Sequence, residues 1–139
     1  MKINLRKIIE TSIDAKTKML NVNLEAIDNA CKLMLGSVNG GNKILWCGNG
    51  GSAADSQHMS AELMGGLRSH TRDPIPSIAL STDSSFLTAW SNDTSFDDIF
   101  SRQIEGIGLP GDILVAISTS GNSTNVLNAI KTAQNKDIK

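Results

Sequence analysis

The apolar positions of this chain recur at two different periods. Over Ile3–Asn39 they fall every three or four residues. Leu5, Ile8, Ile9 and Ile13 make one stripe; Leu24, Ile27, Cys31, Met34 or Leu35, and Val38 make a second. This spacing predicts helices, and Gly40-Gly41 ends them. From Lys43 the pattern changes. Lys43–Cys47 is a short apolar run that predicts a buried strand, Gly48–Gly51 predicts a tight loop, and Ser52 opens a helix that stops at Gly65-Gly66. After a polar loop over Leu67–Asp73, Pro74 and Pro76 bracket the entry to a second short strand, Ile75–Leu80.

The rest of the chain continues that alternation. Ser81–Asp93 is rich in Ser, Thr and Asp, with Phe86, Leu87 and Trp90 spaced for one or two helical turns. Ser95 reads as the N-cap of a helix over Phe96–Ile107, with Asp97 and Asp98 where the helix dipole favours carboxylates. Pro110-Gly111 makes a turn. Asp112–Ser118 is almost continuously apolar, as a strand covered on both faces would be. A helix with Val126, Leu127, Ile130 and Ala133 on one face follows Ser123. Strand and helix alternating through short loops predict an α/β fold: a doubly wound parallel sheet preceded by N-terminal helices. The organisation expected is an N-terminal helical segment over 1–40 and the sheet domain over 41–139. The N-terminal helices either pack on the sheet or form an oligomeric bundle, because stripes this apolar need a partner surface.

Composition narrows the class of function. The 139 residues are 40% hydrophobic and 19% charged, with a formal net charge of −1. No basic field is present to attract nucleic acid or an anionic membrane. Aromatics are 4% and tyrosine is absent, which argues against a base-stacking platform. The N-terminus MKINLRKIIE has no apolar signal core and nothing that would span a bilayer, so a cytoplasmic location is expected. Cys31 and Cys47 lack metal-ligand spacing and read as buried free thiols.

Candidate chemistry gathers at the strand ends. Gly48–Ser52 follows the first strand and opens a helix, the arrangement in which glycines and unpaired N–H groups accept an anion. Ser52 serves either as cap or as anion ligand. A second loop carries Ser118, Thr119, Ser120 and Ser123 around Gly121, a density of hydroxyls that suits a phosphate without any cation. The alternative for either loop alone is a turn rich in cap formers. Gly48-x-Gly50-x-x-Ala53 also fits a relaxed dinucleotide fingerprint, with Asp83 further along than usual; no Gly-Lys-Ser/Thr follows either loop, which excludes a P-loop. His58 and Glu62, four apart, share a helix face above the anion loop. They read as an acid/base pair, as ligands suited to zinc, or as a surface pair without a role. His70 lies in a polar loop with nothing to support a role.

CGNGGSAADSQHMSAEL, the Asn92-Asp93 pair, the segment Phe100–Glu105 and GDILVAISTSGNS together resemble the bacterial phosphoheptose isomerases, sugar isomerase (SIS) domain proteins acting on sedoheptulose 7-phosphate. The match runs from about Gly41 onward. The resemblance implies a flavodoxin-like SIS fold, a cytoplasmic homotetramer with sites shared between subunits, and a role in making heptose for lipopolysaccharide or other surface glycans. It implies phosphate binding by Ser52, Ser118, Thr119, Ser120 and Ser123 with Gly50 and Gly51. It further implies sugar placement by Asn49, Asn92 and Asp93, Glu62 as the base of an enediol mechanism, and zinc held by His58 and Glu62. Two departures stand out. Gly65-Gly66 occupies a place where relatives often have Gly-Arg, with Arg68 two further on, and the family's remaining zinc ligands, a glutamine and a histidine, fall beyond Lys139. The sheet domain is therefore expected to be C-terminally incomplete. The same fold family includes a regulator that binds a replication initiator and sugar-phosphate sensors fused to DNA-binding domains; the carboxylate at Glu62 favours the isomerase.

Overall fold

The computed structural model describes residues 4–68 and 70–139, and the chain divides into two compact units, Met1–Leu35 and Gly36–Lys139. The first unit holds α1 (Leu5–Val22) and most of α2 (Leu24–Asn39). Asn4 caps α1, its side chain accepting from the Lys7 N–H at 3.1 Å. No residue of α1 is buried, and Leu5, Ile8, Ile9 and Ile13 are each more than half exposed. The apolar stripe read from the sequence is therefore present and uncovered.

The second unit is built on a parallel sheet of order β2-β1-β3, with β1 (Ile44–Gly48) between β2 (Ser77–Ala79) and β3 (Ile113–Ile117). Ile44 pairs with Ser77 on one side and Ile113 on the other; Gly48 pairs with Ile117. β1 is buried throughout, as its apolar run requires. Its side chains alternate between two helical layers. On one face, Leu45 and Cys47 join a core with Ile99, Phe100 and Ile104 of α5 (Ile99–Ile107) and Val126, Ala129 and Ala133 of α6 (Thr124–Asn135). On the other, Trp46 Nε1 donates to Ser77 Oγ at 2.8 Å, which reaches Ser60 Oγ of α3 (Gly51–Gly65) at 3.1 Å. Helices on both faces make the sheet doubly wound, as predicted.

Local differences have local causes. β2 spans three residues instead of the six of Ile75–Leu80, because Pro74 and Pro76 cannot donate to a ladder. Ser81–Asp93 yields a full ten-residue helix, α4 (Ser84–Asp93), capped by Asp83, whose carboxylate accepts from the Phe86 N–H at 3.0 Å. Asp83 is thereby used as a cap, which removes the acidic partner of the dinucleotide fingerprint. The helix expected over Phe96–Ile107 begins with a 3₁₀ turn, Phe96–Asp98, under a Ser95 cap. Arg102 of α5 lies over the Trp90 ring of α4 at 5.0 Å, and Trp90 stacks on Phe86 at 5.9 Å. Both cysteines are free. Cys47 is buried, which pushes its thiol up to about 12, but Cys31 is exposed on α2, against expectation.

At the amino ends of the strands, Asp112 is 1% exposed and accepts three hydrogen bonds: from Lys43 N–H at 3.0 Å, Lys43 Nζ at 2.6 Å and Leu109 N–H at 2.8 Å. Burial opposes its ionisation, but these bonds and the lysine charge outweigh burial and hold the carboxyl below its ordinary value. The backbone of Lys139 continues the parallel pattern beside β3, donating to Asp112 O at 3.0 Å and accepting from Leu114 N–H at 2.7 Å.

Because the folded pKa of Asp112 is depressed, its contribution to stability is present above the unfolded value of about 4 and is lost as pH falls through the lower folded value. Asp112→Asn is expected to cost about 2–4 kcal/mol at pH 7 by leaving Lys43 underpaired, and to flatten the acid limb of the stability curve. Urea denaturation between pH 3 and 7 measures both; an unchanged midpoint would mean the pair contributes nothing net.

Candidate active site

β1 is the central strand, and the chain leaves it for β2 on one side and β3 on the other. The loops that follow β1 and β3 are thus neighbours at the carboxyl edge, at the point where strand order reverses and where open parallel sheets bind ligands. Gly48 is required there by close approach: a Cβ would lie 2.7 Å from Ser52 Cβ and 2.9 Å from Ile117 O. Gly50 turns the chain into α3 with φ of 57°, which disfavours other residues.

α3 begins one residue earlier than the sequence suggested. Gly50 holds the N-cap position and Ser52 lies inside the first turn. The turn satisfies several of its own donors: Ser52 N–H reaches Asn49 O at 3.0 Å, and the N–H groups of Ala53 and Ala54 reach Gly50 O at 3.1 and 3.2 Å. Ser52 is therefore not the cap, and its hydroxyl is left for other partners.

The second loop is a cluster of hydroxyls. Ser118 Oγ lies 3.3 Å from Ser123 Oγ and 3.4 Å from Ser120 Oγ, and accepts from the Gly121 N–H at 3.1 Å. Ser120 Oγ accepts from the Asn122 N–H at 3.2 Å. Thr119 is exposed beside them.

The two loops are joined by a residue that the sequence did not single out. Asn49 Nδ2 donates to Asn125 Oδ1 at 2.8 Å, and Asn125 Nδ2 donates back to Asn49 Oδ1 at 2.9 Å. Asn125 is 2% exposed in the first turn of α6. The only hint in the sequence is an amide, a poor helix former, just inside a helix start.

His58 and Glu62 share the outer face of α3, with His58 Nε2 at 4.0 Å from Glu62 Oε1. Two ligands of one tetrahedral zinc stand roughly 3.4 Å apart, given bonds near 2.1 Å, so a small side-chain adjustment would let both bind one ion. Among the described residues, no third His, Cys, Asp or Glu joins them. They fit two positions of a zinc site and do not close it. Ala54, Ala61 and Gly65 around them are exposed, so this face is uncovered in the chain alone. Ten residues of helix also separate Ser52 from Glu62, about 15 Å along the axis. Glu62 thus stands nearly three turns along α3 from the anion loop. At the end of α3, Arg72 donates to the carbonyls of Glu62 and Leu63, both at 2.7 Å, and fixes the turn that carries Glu62.

Asn92 and Asp93 lie exposed in the last turn of α4, where Asn92 Nδ2 donates to Asp93 Oδ1 at 2.7 Å. Among the described residues, neither bonds to the two loops. The structure thus brings Asn49, Gly50, Gly51, Ser52, Ser118, Ser120 and Ser123 to one edge, and leaves His58–Glu62 and Asn92–Asp93 as separate surface pairs.

Ser118→Ala deletes the centre of the hydroxyl cluster. It is expected to weaken binding of inorganic phosphate about tenfold or more, the effect of losing one charge-assisted hydrogen bond and misplacing two others. Isothermal calorimetry tests it, and unchanged affinity would place the anion elsewhere.

Comparison with known proteins agrees with this geometry. The SIS domain family matches residues 9–139. Phosphoheptose isomerases of Shewanella species, Shewanella baltica among them, are 51% identical over 138 residues, covering 99% of this chain and 68% of theirs. The solved phosphoheptose isomerase of Neisseria gonorrhoeae superposes with a TM-score of 0.89 at 44% identity, over 96% of this chain and 69% of that one. The structure from Francisella tularensis gives a TM-score of 0.93 at 37% identity, over 97% of this chain and 70% of that one. The chain belongs to the SIS domain family, and these relatives are phosphoheptose isomerases.

Proposed function

We infer that this SIS-domain chain is a sugar-phosphate isomerase, and we propose that it converts D-sedoheptulose 7-phosphate to D-glycero-D-manno-heptose 7-phosphate. The observation that carries the reading is the pair of hydroxyl- and glycine-lined loops side by side at the carboxyl edge, in a chain that also keeps a carboxylate at Glu62. The names of its 51%-identical relatives support the substrate. Glu62 also favours an isomerase over a module that only binds.

In this mechanism Ser52, Ser118, Thr119, Ser120 and Ser123, with the backbone of Gly50 and Gly51, hold the phosphate by neutral donors. Asn49, Asn92 and Asp93 place the sugar hydroxyls. Glu62 takes a proton from C1 of the ketose as the C2 carbonyl oxygen is protonated, giving an enediol. The proton then returns to C2 while the C1 hydroxyl loses its own and becomes the aldehyde. His58 and Glu62 would be two ligands of a zinc ion, which when bound would polarise the carbonyl oxygen.

The groups that act on one substrate are proposed to come from more than one chain. An extended seven-carbon 7-phosphate spans about 10 Å from C1 to phosphorus, counting roughly 1.25 Å per bond. Glu62 lies about 15 Å along α3 from Ser52, a span that favours the loops of one subunit working with the Glu62 of another. The uncovered face of α3 and the exposed apolar stripe of α1 are consistent with a homotetramer, in which 1–40 is the oligomerisation segment and 41–139 the SIS domain. The proposed setting is cytoplasmic heptose synthesis for lipopolysaccharide or surface glycans.

Glu62→Gln should lower turnover at least ~10²-fold while changing phosphate binding far less. Reduced zinc content in the same variant would assign it to the metal as well. Full turnover, or full solvent exchange at C1 or C2 by NMR, would exclude Glu62 as the base. Co-expression of Glu62→Gln with Ser120→Ala tests the shared site separately. Random assembly of subunits gives about a quarter of sites with both intact halves, so about that share of activity should return. A site confined to one chain would return none.

A further inference from the structure

We propose that Asn125, through its reciprocal amide pair with Asn49, is a positioning residue that sets the spacing of the two anion-binding loops and orients Asn49 toward the sugar. This rests on the isomerase reading above for the identity of the ligand, but not for the geometry of the pair.

Asn49 is the first residue after β1, and Asn125 stands in the first turn of α6 beyond the serine loop. Their two hydrogen bonds, 2.8 and 2.9 Å, close a ring between the segments that open α3 and α6. Among the described residues, no other hydrogen bond joins the two segments above the last ladder pair, Gly48 with Ile117. Each amide spends one N–H and one carbonyl lone pair in the ring. Asn125 is 2% exposed, so what remains of it is shut away from solvent. Asn49 is only half-buried and keeps one N–H and one lone pair for a ligand. The division of labour follows: the buried amide holds and the half-buried amide contacts. A phosphate bound by neutral donors gains little from misplaced ones, so the spacing of the loops decides affinity.

The test is a double-mutant cycle in the full chain with Asn49→Ala, Asn125→Ala and both, reading the Kd of inorganic phosphate and of sedoheptulose 7-phosphate by calorimetry, with KM and kcat alongside. Asn125→Leu, of nearly the same volume, serves as a second variant should Asn125→Ala not fold, and circular dichroism checks the fold of each. Asn125→Ala is expected to raise Kd and KM for the sugar phosphate about tenfold with kcat changed less. The double variant should be no worse than Asn49→Ala alone. Additive losses, or a fall in melting temperature with Kd and KM unchanged, would overturn the proposal and leave Asn125 a packing residue. If the wild-type chain binds phosphate but not sedoheptulose 7-phosphate, the substrate reading fails while the phosphate cycle still decides the role of Asn125.

Discussion

The pairing of β1 with β3 is the constraint on which everything else hangs. Five residues of each strand run in register from Ile44 with Ile113 to Gly48 with Ile117. The ladder is fastened at both ends by side chains. At the amino end, Asp112 receives Lys43 twice and Leu109 once. At the carboxyl end, Asn49 and Asn125 exchange amides. A parallel ladder alone would fix the strands but not the loops above them. The amide pair extends the fixed region by one residue on one side and through the serine loop on the other.

The two ends are built from different chemistry because they have different tasks. The amino end is closed: a buried carboxylate is matched by a lysine that is itself mostly buried, so charge is cancelled inside the fold. The carboxyl end is open and neutral. Its donors are hydroxyls, amides and backbone N–H groups, many of them half-exposed. The first arrangement cancels a buried charge, and the second leaves donors open to a ligand. Cys47 sits between them in β1, its thiol held neutral by burial, and takes part in neither.

Much of this was legible in the sequence because the fold is made of strong local signals. Three apolar runs, each followed by glycine or serine and then a helical period, could only be a doubly wound sheet, and its loops had to meet at one edge. The features that escaped are those set by distant neighbours. Asn125 looks like any polar residue at a helix start until the fold brings Asn49 to it, 76 positions away. Arg72 looks like part of a polar loop until that loop folds back on α3. By residue type Ser52 is equally a cap or an anion ligand; the backbone conformation open to Gly50 moves the helix start upstream and removes the first of these. Cys31, expected as a buried free thiol, is free but exposed, because its face of α2 is uncovered.

The placement of Glu62 follows from the length of α3, and it ties the chemistry to the exposed surfaces. A helix that begins at an anion loop can hold a phosphate at its first turn, and Glu62 lies nearly three turns further along. Glu62 and His58 lie in the later turns, on a face lined by Ala54, Ala61 and Gly65 that leaves room for a close neighbour. Residues this small on an exposed helix face contribute little to the stability of the chain itself. In the shared-site proposal they would admit another backbone closely beside Glu62. The exposed apolar stripe of α1 fits the same proposal, since it costs solubility in a lone chain and would be covered between subunits.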